Sequence, residues 1–278
     1  MTEKQFLLWR ELLESRTGIF ITQQRQSYLQ SSLKQRMREL DYTDYQSYYD
    51  YVVRGPLGKI EWARLIDRLT VQETRFFRDQ AAFEFVEKFI ATRPEKFSKK
   101  HPLDIWSVGC SSGEEVYSLA ILAQEALNRR QKDASCMVTG TDISIPVLNK
   151  ARLGVYSKRR IESLNTYYKN NYFSELASGE FELISEIKHK TCFAQVNVLK
   201  LSDMASTQRH IIYCQNLLIF FRRWRRQEIL NHLVDRLVPG GLLLIGMGEA
   251  VDWHHPDIEP VKGERVSAFI KCAKNKNN

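Results

Sequence analysis

Two short turns hold the residue types best suited to chemistry. The first, Gly109-Cys110-Ser111-Ser112-Gly113, follows the apolar run Leu103 to Val108 and precedes helical spacing from Glu114 to Arg130. Glycines in such a turn let the backbone approach a ligand closely, and the free N–H groups at the start of the next helix favour negative charge. The turn lacks the full GxGxxG spacing of a dinucleotide site, so a plain tight turn explains it equally well. The second turn begins at Asp142, which ends the apolar run Cys136 to Thr141. A carboxylate there can accept from both hydroxyls of a ribose diol, or it can simply cap the helix that starts near Ser144. Cys110, Cys136, Cys192, Cys214 and Cys272 are scattered, with no CxxC pair and no neighbouring His at ligand spacing. They read as reduced, mostly buried thiols, and no metal centre is expected.

The elements that must carry these turns alternate. Strands are expected at Leu103 to Val108, Cys136 to Thr141, Lys190 to Val196, His210 to Cys214, Gly241 to Met247 and Arg265 to Ala273, with helices at Ser144 to Arg152 and Arg223 to Leu237. That order predicts an α/β fold with a doubly wound, mostly parallel sheet. Tyr156 to His189 breaks the alternation, and Ser178-Gly179 leading into Phe181, Leu183 and Ile187 predicts a small inserted antiparallel hairpin. Before the sheet the chain has helical periodicity. Leu29, Leu33, Met37 and Leu40 share one face of a helix beginning near Thr22, with Lys34 and Arg38 well round from it and Arg25 and Arg36 on its other flank. The simplest reading of those cations is a solvated face. The expected boundaries are a helical domain over residues 1–80, a linker over 81–102, and an α/β domain over 81–278 with an insertion at about 157–190.

With 278 residues the chain can bury a core without disulfides. No signal-peptide pattern opens it, and no apolar run approaches the roughly 20 residues that span a bilayer. A cytoplasmic location is therefore expected, without membrane insertion. The formal net charge of +8 points to a partner that is acidic somewhere, whether nucleic acid, anionic lipid or protein. Nothing in the sequence demands more than a monomer.

Longer strings are more specific. Thr70-Val71-Gln72-Glu73-Thr74-Arg75-Phe76-Phe77-Arg78-Asp79 resembles the T-x-N-E-T-x-F-F-R-D signature of the CheR methyltransferases. Ile105 to Ala120 is similar to that family's first nucleotide-site motif, and Thr141 to Ser144 with Ala151 to Tyr156 to its second. Cys214-Gln215-Asn216-Leu217-Leu218-Ile219-Phe220-Phe221 resembles C-R-N-V-L-I-Y-F, and Pro239 to Glu249 resembles a closing G-G-x-L-x-x-G-x-x-E. The strings fall in family order over nearly the whole chain.

The resemblance implies a Rossmann-like S-adenosylmethionine-dependent methyltransferase sheet, an all-helical N-terminal domain and a small inserted antiparallel β-subdomain. Matching positions imply cofactor contacts from Gln72, Thr74, Arg78, Glu114, Asp142, Asn197, Val198, Gln215 and Asn216. The implied reaction methylates glutamate side chains on the cytoplasmic methylation helices of a bacterial chemoreceptor, leaving S-adenosylhomocysteine. A glutamate has a pKa of about 4.3, so the nucleophile is already ionised at neutral pH and alignment is the main task. Arg78 is expected to orient a carboxylate by a forked hydrogen bond, a catalytic role that Lys fills less well. Lys34, Arg36 and Arg38 occupy the stretch that docks on acidic receptor helices in the family. Three departures stand out: Gln72 for Asn, Gln215 for Arg and Phe220 for Tyr. They keep open a receptor-binding member of low or no activity. A nucleic-acid methyltransferase, supported by Arg222-Arg223-Trp224-Arg225-Arg226, is the less favoured alternative, because Cys214-Gln215-Asn216-Leu217 is not the N/D-P-P-Y/F string of base methylation.

Overall fold

The computed structural model describes residues 1–70, 73–93, 97–130 and 133–273. Its N-terminal part is helical: α1 (Glu3–Thr17), α2 (Gln26–Glu39), α3 (Tyr45–Val53) and α4 (Gly55–Leu69). Thr2 and Gln5 form a capping box at the start of α1, and Gly18, at φ 77°, ends it in the left-handed region. Leu29, Leu33 and Met37 of α2 are buried with Phe6, Trp9, Leu13, Tyr48 and Leu65. Burying each of the aliphatic side chains contributes roughly 1.5–3 kcal/mol, which offsets the cost of ordering a polar helix.

The linker expected over 81–102 is corrected at its start. Residues 80–92 form α5 (Gln80–Thr92), capped by Asp79, and Phe83, Val86 and Ile90 are buried in the main core. Their spacing of three and four residues gives the helix one apolar stripe to dock.

The rest of the chain continues with β1 (Leu103–Val108), α6 (Glu114–Asn128), β2 (Cys136–Asp142), α7 (Ile145–Leu153), β3 (Val155–Ser157), α8 (Lys158–Ile161) and α9 (Thr166–Tyr172). After these come β4 (Phe173–Glu175), β5 (Glu180–Leu183), α10 (Ser185–Lys188), β6 (Thr191–Gln195), β7 (Arg209–Cys214), α11 (Arg223–Asp235), β8 (Leu237–Ile245), β9 (Ile258–Pro260) and β10 (Ser267–Lys271). Seven strands form one sheet in the order β6-β2-β1-β7-β8-β10-β9. The pairings from β6 through β8 are parallel, whereas β10 pairs antiparallel with both β8 and β9. Strands β3, β5 and β4 make the expected small antiparallel sheet, inserted between α7 and β6.

From β1 the chain builds outward through β2 to β6, then returns to place β7 on the other side of β1. The carboxyl ends of β1 and β7 therefore flank a topological switch point, where open α/β sheets bind ligands. The helical part closes over it. The Phe20 N–H donates to the Phe220 carbonyl at 2.8 Å. Asn197 Nδ2 donates to the Arg16 carbonyl at 2.7 Å, and the Arg222 guanidinium forks onto Glu14 at 2.5 and 3.2 Å.

Candidate active site

A pocket opens at the switch point. Gly109, Cys110 and Ser111 line it from the first turn, Thr141 to Ile143 from the second, and Gln215 to Leu217 from the end of β7. Thr74, Arg75 and Arg78 flank it, and Thr17 at the end of α1 with Ile19 and Ile21 of the α1–α2 connection form its roof. The glycine turn adopts the backbone it needs: Gly109 has φ 79°, and a Cβ there would meet the Leu217 side chain at 3.1 Å. Ser111 also has positive φ, at 49°, and its buried hydroxyl has no hydrogen-bond partner among the described residues.

Asp142 is held by backbone donors on both sides. One carboxylate oxygen accepts from the Ser144 N–H at 2.9 Å, bracing the turn before α7, whose N-cap is Ser144 and not Asp142, while the other accepts from the Ser111 N–H at 2.9 Å and ties β2 to the glycine turn. Burial raises its pKa, and those two backbone N–H groups pull the other way. Both oxygens keep lone pairs for a ligand.

The adjacent acids of α6 divide. Glu114 does not line the pocket: it is fully buried, accepts from the Ser112 hydroxyl at 2.7 Å and faces Arg160 at 3.3 Å. Glu115 lines the pocket instead, accepting from the Ser107 hydroxyl at 2.7 Å. The structure therefore sets Glu115, and not the expected Glu114, on the pocket wall. A helix turns about 100° per residue, so neighbouring side chains at its start point to different sides. Burial pushes the Glu115 carboxyl up to about 8, opposed by the Ser107 hydroxyl and by the charge of Arg78.

Thr74, Arg78, Asn197, Val198, Gln215 and Asn216 all line the pocket, and Gln72 lies outside the described residues. Arg78 donates to the Glu73 carbonyl at 2.8 Å. Asn197 is also a helix cap: its Oδ1 accepts from the Leu199 N–H at 3.1 Å while its amide holds Arg16. Gln215 accepts from the Tyr213 hydroxyl at 2.7 Å and donates to Asp79 at 3.0 Å. Asn216, at φ 57°, presents the turn after β7. Sequence reasoning missed Glu115 and the Thr17 to Ile21 roof, whose contacts are long-range.

A model of the CheR methyltransferase SAM-binding domain matches residues 72–267, and one of the CheR methyltransferase all-alpha domain matches residues 4–70. The chain belongs to the CheR methyltransferase family. It is 30% identical over 237 residues to a chemotaxis protein methyltransferase of Borreliella burgdorferi, covering 84% of this chain and 83% of that one. It is 29% identical over 282 residues to chemotaxis protein methyltransferase 2 of Vibrio cholerae, covering 100% and 96%. The similarly named protein 2 of Pseudomonas aeruginosa is 30% identical over 251 residues, covering 89% and 87%.

The methyl donor of this CheR domain is S-adenosylmethionine, and the pocket's donor set fits it. Asp142 suits a ribose diol, apolar Ile143, Val147 and Val198 suit an adenine ring, and Glu115 offers negative charge to a cationic sulfonium and ammonium. The unpartnered Ser111 hydroxyl is a further free polar group on the same wall.

The basic stretch is corrected at one residue. Lys34 and Arg38 of α2 are exposed, but Arg36 is buried and donates to both carboxylate oxygens of Glu61 at 2.6 and 2.7 Å. It also pairs with Glu39 at 2.5 Å, and Tyr48 donates to Glu61 at 2.7 Å. Those bonds commit the guanidinium to the domain's own core, which leaves Lys34 and Arg38 as the exposed cations of that stretch. The arginine run is similarly engaged: Arg222 pairs with Glu14, Arg223 with Asp252 and Arg225 with Glu228, while Arg226 donates to the Phe221 carbonyl. Such pairing weakens the case for a phosphate-binding stripe.

Proposed function

We propose that this protein methylates glutamate side chains on the cytoplasmic helices of a methyl-accepting chemoreceptor, acting in the cytoplasm as a monomer. S-adenosylmethionine, when bound, supplies a methyl group on a positively charged sulfur. An acceptor carboxylate held in line with it would take the methyl group, with the S–CH3 bonding pair left on a neutral sulfur. No proton moves, so no general base is needed.

The residues of the chain bind and align. Asp142 holds the donor's ribose, Val198 and Ile143 border its adenine, Glu115 faces its cationic end, and Arg78 orients a carboxylate by a forked hydrogen bond. Thr74, Gln215 and Asn216 complete the wall, with Gln72 in the same string. Alignment of this kind can contribute on the order of 7–11 kcal/mol. Exposed Lys34 and Arg38 dock on acidic receptor helices, in keeping with the net charge of +8.

The observation that carries the reading is a single pocket bordered by Asp142, Glu115 and Arg78 and roofed by the helical domain that bears the basic helix. Relatives named chemotaxis protein methyltransferases along the full length support it. The decisive experiment incubates the protein with methyl-labelled S-adenosylmethionine and receptor cytoplasmic fragments, followed by alkaline treatment. Base-labile release of labelled methanol is expected. Labelled receptor that survives alkali would refute glutamate esterification, and donor binding without transfer to any receptor would refute the enzymatic reading.

A further inference from the structure

The segment Glu73 to Arg78 carries no regular secondary structure, and Phe77 within it has φ 47°, a backbone that L residues adopt at a cost. Something must hold it. One bond comes from α6, where the Ser118 hydroxyl accepts from the Phe77 N–H at 3.0 Å, and one is internal, Arg78 folding back on the Glu73 carbonyl. Phe83 of α5 meets the Phe77 ring edge-on at 5.2 Å, and the other ring contacts come from the insertion and its flanks. The Phe76 ring meets Tyr156 and Phe173 edge-on at 5.0 and 5.4 Å, and Phe77 stacks on Tyr168 at 4.7 Å with an interplanar angle of 18°.

Arg160 of α8 is the polar member of this set. Its Nη1 donates to the Thr74 carbonyl at 2.8 Å and lies 3.3 Å from Glu114 Oε1. That oxygen is buried and makes no hydrogen bond, while the other Glu114 oxygen accepts from Ser112. Tyr156 donates to the Ser112 carbonyl at 2.7 Å, so the insertion also grips the glycine turn. One guanidinium therefore bridges the Thr74 backbone and the first residue of α6.

We infer that the inserted subdomain is part of the methyl-donor pocket's own framework, with Arg160 as the positioning residue that sets Thr74 and Arg78 against the glycine turn. This rests on assigning the pocket to S-adenosylmethionine and not on the identity of the acceptor. Without Arg160 the Thr74 carbonyl loses this donor and the buried Glu114 carboxyl loses its ion-pair partner, keeping only the weaker field of Lys150. The two walls of the pocket would then be free to shift against each other.

Calorimetric titration of S-adenosylhomocysteine into Arg160→Ala, Arg160→Lys and the double variant Arg160→Ala with Glu114→Gln tests this, beside methylation kinetics. Arg160→Ala should bind the product about tenfold more weakly. The KM for donor should rise while the KM for receptor stays put. Arg160→Lys should recover most of the affinity, since an ammonium can serve both oxygens. The double variant removes the buried charge and should regain thermal stability without regaining affinity. Unchanged affinity in Arg160→Ala, no rescue by Lys, full rescue by Glu114→Gln, or a shift confined to the receptor KM would each overturn the inference. Should Arg160→Ala fail to fold, the Lys and double variants decide. Wild-type protein that does not bind the product would instead contradict the pocket assignment.

Discussion

Replacing Glu115 with Gln should abolish the pH dependence of donor binding. The Glu115 carboxyl is pushed up to about 8 by burial, so in the empty pocket it is largely protonated at neutral pH. Taking that value, about 1% is ionised at pH 6 and about 24% at pH 7.5. If the cationic donor binds only the ionised form, its apparent Kd tightens by up to about 25-fold across that window. The donor's α-amino group, with an ordinary pKa near 7.7–8.0, stays mostly charged there, and among the described residues no His lines the pocket to confuse the profile. Titrations of S-adenosylmethionine at half-unit pH steps should show this slope in the wild type and a flat profile in Glu115→Gln. Stability gives an independent check on sign. A carboxyl raised from 4.5 to about 8 on folding stabilises the fold fully only below pH 4.5, and that contribution is lost as pH rises through about 8. The Tm of the ligand-free wild type should therefore fall relative to Glu115→Gln between pH 5 and 8.5. An identical binding slope in the variant would refute the reasoning and shift attention to Asp142, whose pKa is also raised by burial.

Three further perturbations separate alignment, folding and docking. Arg78→Lys keeps the charge but loses the fork, so kcat for receptor methylation should fall by at least about tenfold in initial-rate assays. Arg36→Ala leaves Glu61 buried and uncompensated and should cost about 3–5 kcal/mol in denaturant unfolding, with product affinity per folded molecule unchanged. Reversing exposed Lys34 and Arg38 to Glu should raise the KM for receptor, most at low salt, with Tm and product affinity unaltered. Loss of product affinity along with receptor affinity would place those residues in folding rather than docking.

The frame of the sheet was legible because its signals are local. Leu103 to Val108 reads as a strand and is β1 to the residue, and the Gly109 to Gly113 turn and Asp142 sit together at its end as expected. What was not legible depends on phase or on distant partners. Whether Glu114 or Glu115 enters the pocket is set by the rotation of α6, which the left-handed Gly113 fixes at φ 93°. Arg36 looks like any surface cation until α4 brings Glu61 beside it, 25 residues along the chain. The stripe Phe83, Val86 and Ile90 did carry the helical signal of α5, and a boundary drawn at residue 80 placed that helix in the linker. The arginines from Arg222 to Arg226 resembled a nucleic-acid stripe because their acidic partners, Glu14 and Asp252 among them, come from elsewhere in the fold.

The connection from Arg16 to Ile21 has a consequence for engineering. Chimaeras that trade helical domains between relatives, so as to redirect an enzyme to a new receptor, invite a cut between α4 and α5. Such a cut imports a foreign lid, because Phe20 is bonded to Phe220 and Arg16 to Asn197. Grafts that keep residues 1–25 native and exchange only the outward face of α2 would change the target without disturbing the donor compartment.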